Sequence, residues 1–598
     1  MKKTRYSVKT VCLLAMCGVA LFANAQDDKK KEQDLNRQMT LEREYDPSVQ
    51  DASKVNTLPQ VKEPEVRKIP IDYSDYTLAM DPAQQISVLP SGNIMTQMDY
   101  NKRRGYLRLG AGTYMNLNGD FGYHALSTAT DQLSIAFSHR SANGNVKYIQ
   151  LPDEKVKAKI NDNLGGLKYA HAFEKASLNV GLNYGYSAYN YYGLSMLSFS
   201  SLPMQDLLNK ADRETNQVNQ TIAATLGVES KEDADLAYLV DLGFVNFSRK
   251  YGISKDTDGP KETTIEAKVN VSKRFNGDMR FGLEALVEYF NYSLPAEKAL
   301  PNGGLYICEF ENHAEVALHP YYEVEGENWK VRLGANVMLK TGDESLFMAT
   351  PNVAANFEVA DKTELYIKAN GKLYSNSMYE MSKINRYLPA EELTPARSWL
   401  DGVLGIKSGV APGFWFDIFA GYKMTSDDVL FVPGRTFEEG GFGNFSEAMS
   451  GINTKQLFVG ASLKYSYQQL FELTLKGQYN NWKAEYGDEW IGFSDSSLEH
   501  AWGKPEMELN AGVMVRPMDK LAVALDYSLA TGRYTLLAGV DLYKMNNINE
   551  LNLTATYTLN DTFGFYAKVN NLLSQKYELY YGYPMQRLSA QVGVNINF

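Results

Sequence analysis

From about Arg104 to Phe598 the chain alternates apolar and polar residues with a period of two. Thr264, Glu266, Lys268, Asn270 and Ser272 lie on one side, and Ile265, Ala267, Val269 and Val271 on the other. Residues 364–372 repeat this, with Glu364, Lys368, Asn370 and Lys372 opposite Leu365, Ile367 and Ala369. The last stretch sets Leu588, Ala590, Val592, Val594, Ile596 and Phe598 against Ser589, Gln591, Gly593, Asn595 and Asn597. Such a period belongs to strands whose two faces meet different surroundings. Followed to the end, the pattern predicts about 22 strands over residues 104–598.

Alternation alone would also suit a soluble sandwich or a propeller with one face in water. Connection lengths separate these. Glu174-Lys175, Lys231 to Ala234, Gly277-Asp278, Ala360-Asp361, Ala411-Pro412, Pro517-Met518 and Asn560-Asp561 are short turns. Between them come long connections at about 141–163, 189–216, 377–397, 425–452, 483–504, 531–547 and 573–585. Short turns on one rim, long loops on the other and an even strand number describe a transmembrane barrel with both termini on the periplasmic side of an outer membrane. The expected fold is therefore all-β, an antiparallel transmembrane β-barrel of about 22 strands behind a short extended N-terminal periplasmic segment.

Composition agrees. Mean hydropathy is −0.35, and beyond the N-terminus no long apolar run occurs, which excludes a bundle of membrane helices. A closed barrel reconciles a hydrophilic average with hydrocarbon, because every backbone polar group pairs within the sheet. The 40 Tyr suit the aromatic girdles of such barrels, with clusters at Tyr184, Tyr186, Tyr189, Tyr191 and Tyr192 and at Tyr577, Tyr580, Tyr581 and Tyr583. A net charge of −11 argues against nucleic acid as a partner.

The N-terminus reads as an export signal. Lys2, Lys3, Arg5 and Lys9 precede an apolar core from Val11 to Phe22, then Ala23-Asn24-Ala25. Cleavage after residue 25 removes four cations, leaving a net −15, and takes away Cys12 and Cys17, so that Cys308 has no disulfide partner. Residues 26–103 form a separate leader with Pro47, Pro59, Pro64, Pro70, Pro82 and Pro90 at short intervals. Proline fixes φ and removes a ladder donor, so this stretch should be extended, as a periplasmic leader or partial lumen plug.

Val569-Asn570-Asn571-Leu572-Leu573-Ser574-Gln575-Lys576-Tyr577, then Gly582-Tyr583-Pro584, Arg587 and a final strand ending in Phe598, resembles the end of TonB-dependent outer-membrane receptors. The resemblance implies transport of a solute across the outer membrane and a terminal aromatic, Phe598, read by the barrel-assembly machinery. It covers about the last 50 residues, and the strand count extends it over 104–598. Two departures stand out. Leu573 takes a place where the family usually has Phe, and residues 26–103 are about half the length of the family's plug domain.

Thr40, Leu41, Glu42, Arg43, Glu44 and Tyr45 alternate within the leader. They are a candidate for adding a strand to a periplasmic, TonB-like partner, as a TonB box does. Among the loops, Asp488, Glu489, Trp490 and Trp502 are the candidate extracellular ligand contacts, followed by Asp427, Asp428, Glu438 and Glu439. Glu309, Glu311, His313, Glu315 and His319 share one strand parity, but along a strand they spread too far for one ion, so a polar lumen wall is expected and no metal or cofactor. No H-E-x-x-H, P-loop or G-x-S-x-G motif occurs, so no catalytic residue is assigned.

The first expectation is a transport barrel gated by its leader or by a partner, with outer-membrane lipid around it. The alternative is a non-transporting barrel, a component of an outer-membrane assembly or secretion complex. An outer-membrane hydrolase ranks below both, lacking a compact acid, His or Ser site.

Overall fold

The computed structural model describes residues 103–598 apart from 195–215, 232–235, 253–255, 276, 300–304, 307, 343–344, 435–443, 487–499 and 538–540. Twenty-two strands, each antiparallel to its neighbours, form one sheet that closes on itself. The first strand, Gly105–Gly112, pairs with the last, Ser589–Asn597, from Tyr106↔Asn597 to Gly112↔Gln591. Closure leaves no sheet edge exposed. The expected strand number and class hold, and most strands begin and end within a few residues of the predicted places.

Two faces follow from the registers. Ile265, Ala267 and Val269 oppose Tyr289, Val287 and Ala285, which in turn oppose Ala314, Val316 and Leu318. The rows continue round the ring through Leu404, Ala420 and Val459, and Leu109, Val594 and Phe565. This outward face is an apolar belt with many large side chains left exposed, Leu404 at 60% and Val592 at 65%, as a wall meeting hydrocarbon requires. The opposite face is polar and lines the lumen.

The start of the first strand and the end of the last share the rim of the short turns. Arg104 and Gly105 donate their backbone N–H groups to the Phe598 carbonyl, both at 2.9 Å. At the turn after Ala396–Ala411, Gly413 takes φ +75°, and a Cβ there would lie 2.1 Å from the Ser466 carbonyl oxygen, so glycine is required.

Toward the opposite rim the structure differs from expectation in three places. Asp131–Lys147 and Lys155–Ala172 pair out to Lys147↔Lys155, and Phe414–Pro433 pairs with Ser446–Tyr467 out to Pro433↔Ser446. Much of the expected loops 141–163 and 425–452 is therefore ladder. Above the apolar belt the outward face is wet and can be polar, so the alternation fades while the strands continue. Conversely, the strand expected from 309 starts at His313, leaving Glu309 and Glu311 outside it.

Candidate functional site

Loops of the long-loop rim converge over the lumen mouth, and residues 375–395 bring them together. Their core is the helix Met378–Ile384, started by Ser377, whose hydroxyl accepts from the Glu380 N–H (3.3 Å). Ser at the N-cap with Glu three residues on is a helix-start signature, and Met378 and Met381 supply the buried face.

The segment leaves the thirteenth strand, Thr363–Tyr374, and fastens to lumen-facing residues of the fourth, fifth, seventh and eighth. Both Arg386 Nη atoms donate to the two Asp162 carboxylate oxygens, each at 3.0 Å, a bidentate geometry that fixes direction as well as distance. The Tyr189 hydroxyl donates to the Arg386 carbonyl (2.5 Å), Arg249 donates to the Leu388 carbonyl (2.9 Å), and the Tyr379 N–H donates to Glu262 (3.0 Å). Thirteen against four in a ring of 22 is nearly diametric, so the segment crosses the mouth.

Other loops pack on top. Tyr387 stacks on Tyr583 with ring centroids 4.0 Å apart, and Tyr192 meets both, at 5.6 and 5.0 Å. Tyr583, 1% exposed, donates its hydroxyl to the Asn444 carbonyl, and Tyr580 donates to the Ile384 carbonyl (2.7 Å). Val146, Tyr148, Val156 and Leu194 complete the apolar cluster around Tyr192 and Tyr583. The tyrosines are thus divided. Tyr184 and Tyr186 stay on the outward face as a girdle would, whereas Tyr189, Tyr191, Tyr192, Tyr581 and Tyr583 turn inward and are buried.

Loop 571–588 contains an internal titratable group. Burial raises the Glu578 carboxyl above its ordinary value, outweighing the Gly582 N–H (2.8 Å), the Gln150 amide (3.1 Å) and the nearby Arg533. Burial also lowers Arg533 to about 10, so it stays charged at neutral pH while donating to the Glu578 carbonyl (2.8 Å). A carboxyl whose value is raised in the folded loop contributes most stability below its unfolded value and loses it as pH rises through the raised one. Hydrogen exchange of residues 578–583, corrected for intrinsic rates, is therefore expected to slow as pH falls from 8 to 5. Glu578→Gln should flatten that dependence and protect the loop at pH 8, since its amide can donate to Gln150 Oε1, which is buried without a partner among the described residues. An unchanged pH profile in the variant would refute the assignment.

Beneath the crossing segment, Glu266, Glu288 and Glu315 lie directly opposite one another on three adjacent strands of the lumen wall. Ser375 donates to Glu315 (2.8 Å), His313 stacks on Phe290 (4.8 Å), and His319 bonds Asn336 (2.6 Å). Of the stripe noted in the sequence, His313, Glu315 and His319 are lumen wall, with His313 Nε2 3.6 Å from Glu315 Oε1, and Glu309 and Glu311 lie outside the strand; among the described residues no group of three or more His, Cys, Asp or Glu could hold a metal ion.

Of the sequence candidates, Thr40, Leu41, Glu42, Arg43, Glu44 and Tyr45 lie outside the described residues, as do Asp488, Glu489, Trp490, Glu438 and Glu439. Trp502 is 1% exposed, within a cluster with Leu430, Val432, Ile452 and Trp482, and fills a core instead of facing solvent. Asp427 pairs with Arg397, and Asp428 with Lys504 and Thr454, so both brace the loop base. Phe598 sits at the closing seam with its ring near Phe121 and Tyr123 (6.4 and 6.1 Å). Sequence reading missed Arg386 and Tyr387 altogether; the Ser377-to-Glu380 helix start was the available local signal.

No protein-family model matches the sequence, and no curated protein does. Solved structures do match the fold. The FrpB iron transporter from Neisseria meningitidis has a TM-score of 0.62 at 9% identity, covering 83% of this chain and 82% of that one. The ferric-catecholate import receptor Fiu from E. coli K12, in a closed form, has 0.59 at 10% identity over 83% and 82%. FpvA of P. aeruginosa, bound to a pyoverdine–iron complex, has 0.61 at 12% identity over 83% and 72%. What this chain shares with these proteins, at 9–12% identity, is the fold, a closed 22-stranded antiparallel barrel.

Proposed function

We propose that the protein sits in the outer membrane with its short turns and both termini in the periplasm, and that it carries a solute across. The observation that carries this reading is the polar lumen wall of a 22-stranded barrel crossed at one mouth by a segment that its own side chains fasten to the wall. A 22-strand lumen is wide enough to need closure. On this account residues 375–395 and the loops stacked on them form the extracellular gate. The leader, or a periplasmic TonB-like partner held through Thr40 to Tyr45, governs the other side. Solute recognition belongs to the gate, with Asp488, Glu489 and Trp490 as further candidate contacts.

Proteoliposome swelling tests this. Protein lacking residues 26–103 and 376–394 should admit small sugars and peptides, while the full mature chain should not. If neither preparation swells, transport is refuted. The number of bonds fastening the gate favours a second reading, a non-transporting barrel within an outer-membrane complex. That reading expects a stable partner to co-purify through the leader after gentle extraction.

A further inference from the structure

The ladder of Asp131–Lys147 with Lys155–Ala172 rises above the apolar belt, and its two faces there have opposite characters. Inward, Val146, Tyr148 and Val156 are buried in the loop cluster. Outward, the rungs above Phe137↔Gly165 are His139↔Asn163, Ser141↔Asn161, Asn143↔Lys159, Asn145↔Lys157 and Lys147↔Lys155. Four lysines thus stand in a column on the side that faces the membrane. None of the four is in an ion pair among the described residues, and the acids of the hairpin tip, Asp153 and Glu154, pair with none of them. On the far side of the ring Lys455 is matched by Glu485, and the column is set apart by holding four lysines together without an acid among them.

The lowest rung, His139↔Asn163, satisfies itself: His139 bonds Asn163 (2.8 Å) and Ser141 (3.0 Å). His139 also borders an apolar groove of about 1060 Å³ on the outward face, lined by Leu109, Phe121, Phe137, Phe565 and Val592. Column and groove therefore form one continuous surface, basic above and greasy below.

We propose that this surface binds a phosphorylated glycolipid of the outer leaflet, with an acyl chain in the groove and phosphates along the lysine column. The height of the column selects the lipid class. Same-face residues are roughly 6.8 Å apart along a strand, and strands tilt by about 40°, so Lys159 stands about 10 Å above the boundary at His139 and Lys147 about 20 Å. A phospholipid headgroup layer is only about 5 to 7 Å deep. A lipid that reaches all four lysines needs anionic groups at several heights, which an extended phosphorylated sugar headgroup supplies.

This inference rests on the outer-membrane reading. The test uses the full mature protein in mild detergent, titrated with rough lipopolysaccharide, the same lipid after phosphatase treatment, and phosphatidylglycerol, with binding read by native mass spectrometry. Rough lipopolysaccharide should bind at least tenfold more tightly than either other lipid. A K147A/K155A/K157A/K159A variant should lose that preference and the four-arginine variant should keep it. Equal affinity for phosphatidylglycerol, or an unaffected alanine variant, would overturn the proposal. Heat-modifiable insertion into liposomes is scored in parallel. Failure to insert would count against the outer-membrane reading, whereas insertion without lipid discrimination would count only against this site.

Discussion

Arg386→Ala should release the crossing segment without unfolding the barrel. The substitution removes both hydrogen bonds to Asp162 and the guanidinium placed 5.6 Å from the centre of the Tyr189 ring. Truncating one partner of a fully buried pair costs about 3 to 5 kcal/mol. Arg386 and Asp162 remain 34% and 30% exposed, so solvent screens them, and a loss of about 1 to 2 kcal/mol is expected, roughly 5- to 30-fold in the open-to-closed ratio. Amides of residues 378–393 should exchange faster by that factor while the barrel strands keep their protection. Arg386→Lys should fall between, because an ammonium cannot make the forked contact. If the alanine variant exchanged like the parent, the segment would be held by its remaining contacts, those of Arg249, Glu262 and the tyrosines, and the ion pair would have no gating role.

Phe598→Ala should have its largest effect in cells. The residue closes the seam through its backbone, donating to the Gly105 carbonyl at 2.9 Å. Its ring lies over Gly105, where a Cβ would come within 2.7 Å of it. Loss of the ring contacts costs about 1 kcal/mol, which a barrel with twenty-two paired strands tolerates. Refolding of the purified variant into detergent should therefore fall by less than about threefold. If the terminal aromatic is also the assembly signal, the folded protein reaching the outer membrane should drop about tenfold, because an unassembled chain exposing apolar strands is lost to aggregation and proteolysis. Phe598→Tyr should restore most of it. Equal losses in the two assays would reduce Phe598 to a seam residue.

The barrel was legible because lipid and lumen impose opposite demands on alternate residues, and Ile265 to Val271 and Leu588 to Phe598 record both. Where one demand ends, the record fades. The outward residues Asn143, Asn145, Lys157 and Lys159 lie above the apolar belt, so Asp131–Lys147 and Lys155–Ala172 looked shorter than they are. The gate was less legible still. Tyr189 and Arg386 are 197 positions apart, and nothing local in either stretch announces the contact. A tyrosine at the end of a strand suits an interface girdle and an inward-turned cluster equally, and only the three-dimensional arrangement assigns Tyr184 to the first and Tyr192 to the second. Trp502 shows the same ambiguity, an aromatic among loop carboxylates that the fold places in a core.

The central claim is that the protein's own loops close the lumen. Single-channel conductance in planar bilayers tests it most directly, comparing protein without residues 26–103 with protein lacking both 26–103 and 376–394. The first should show small, intermittent openings and the second a large, steady pore. Equal steady conductance in both would show that the crossing segment closes nothing, and silence in both would contradict a solute path through the barrel.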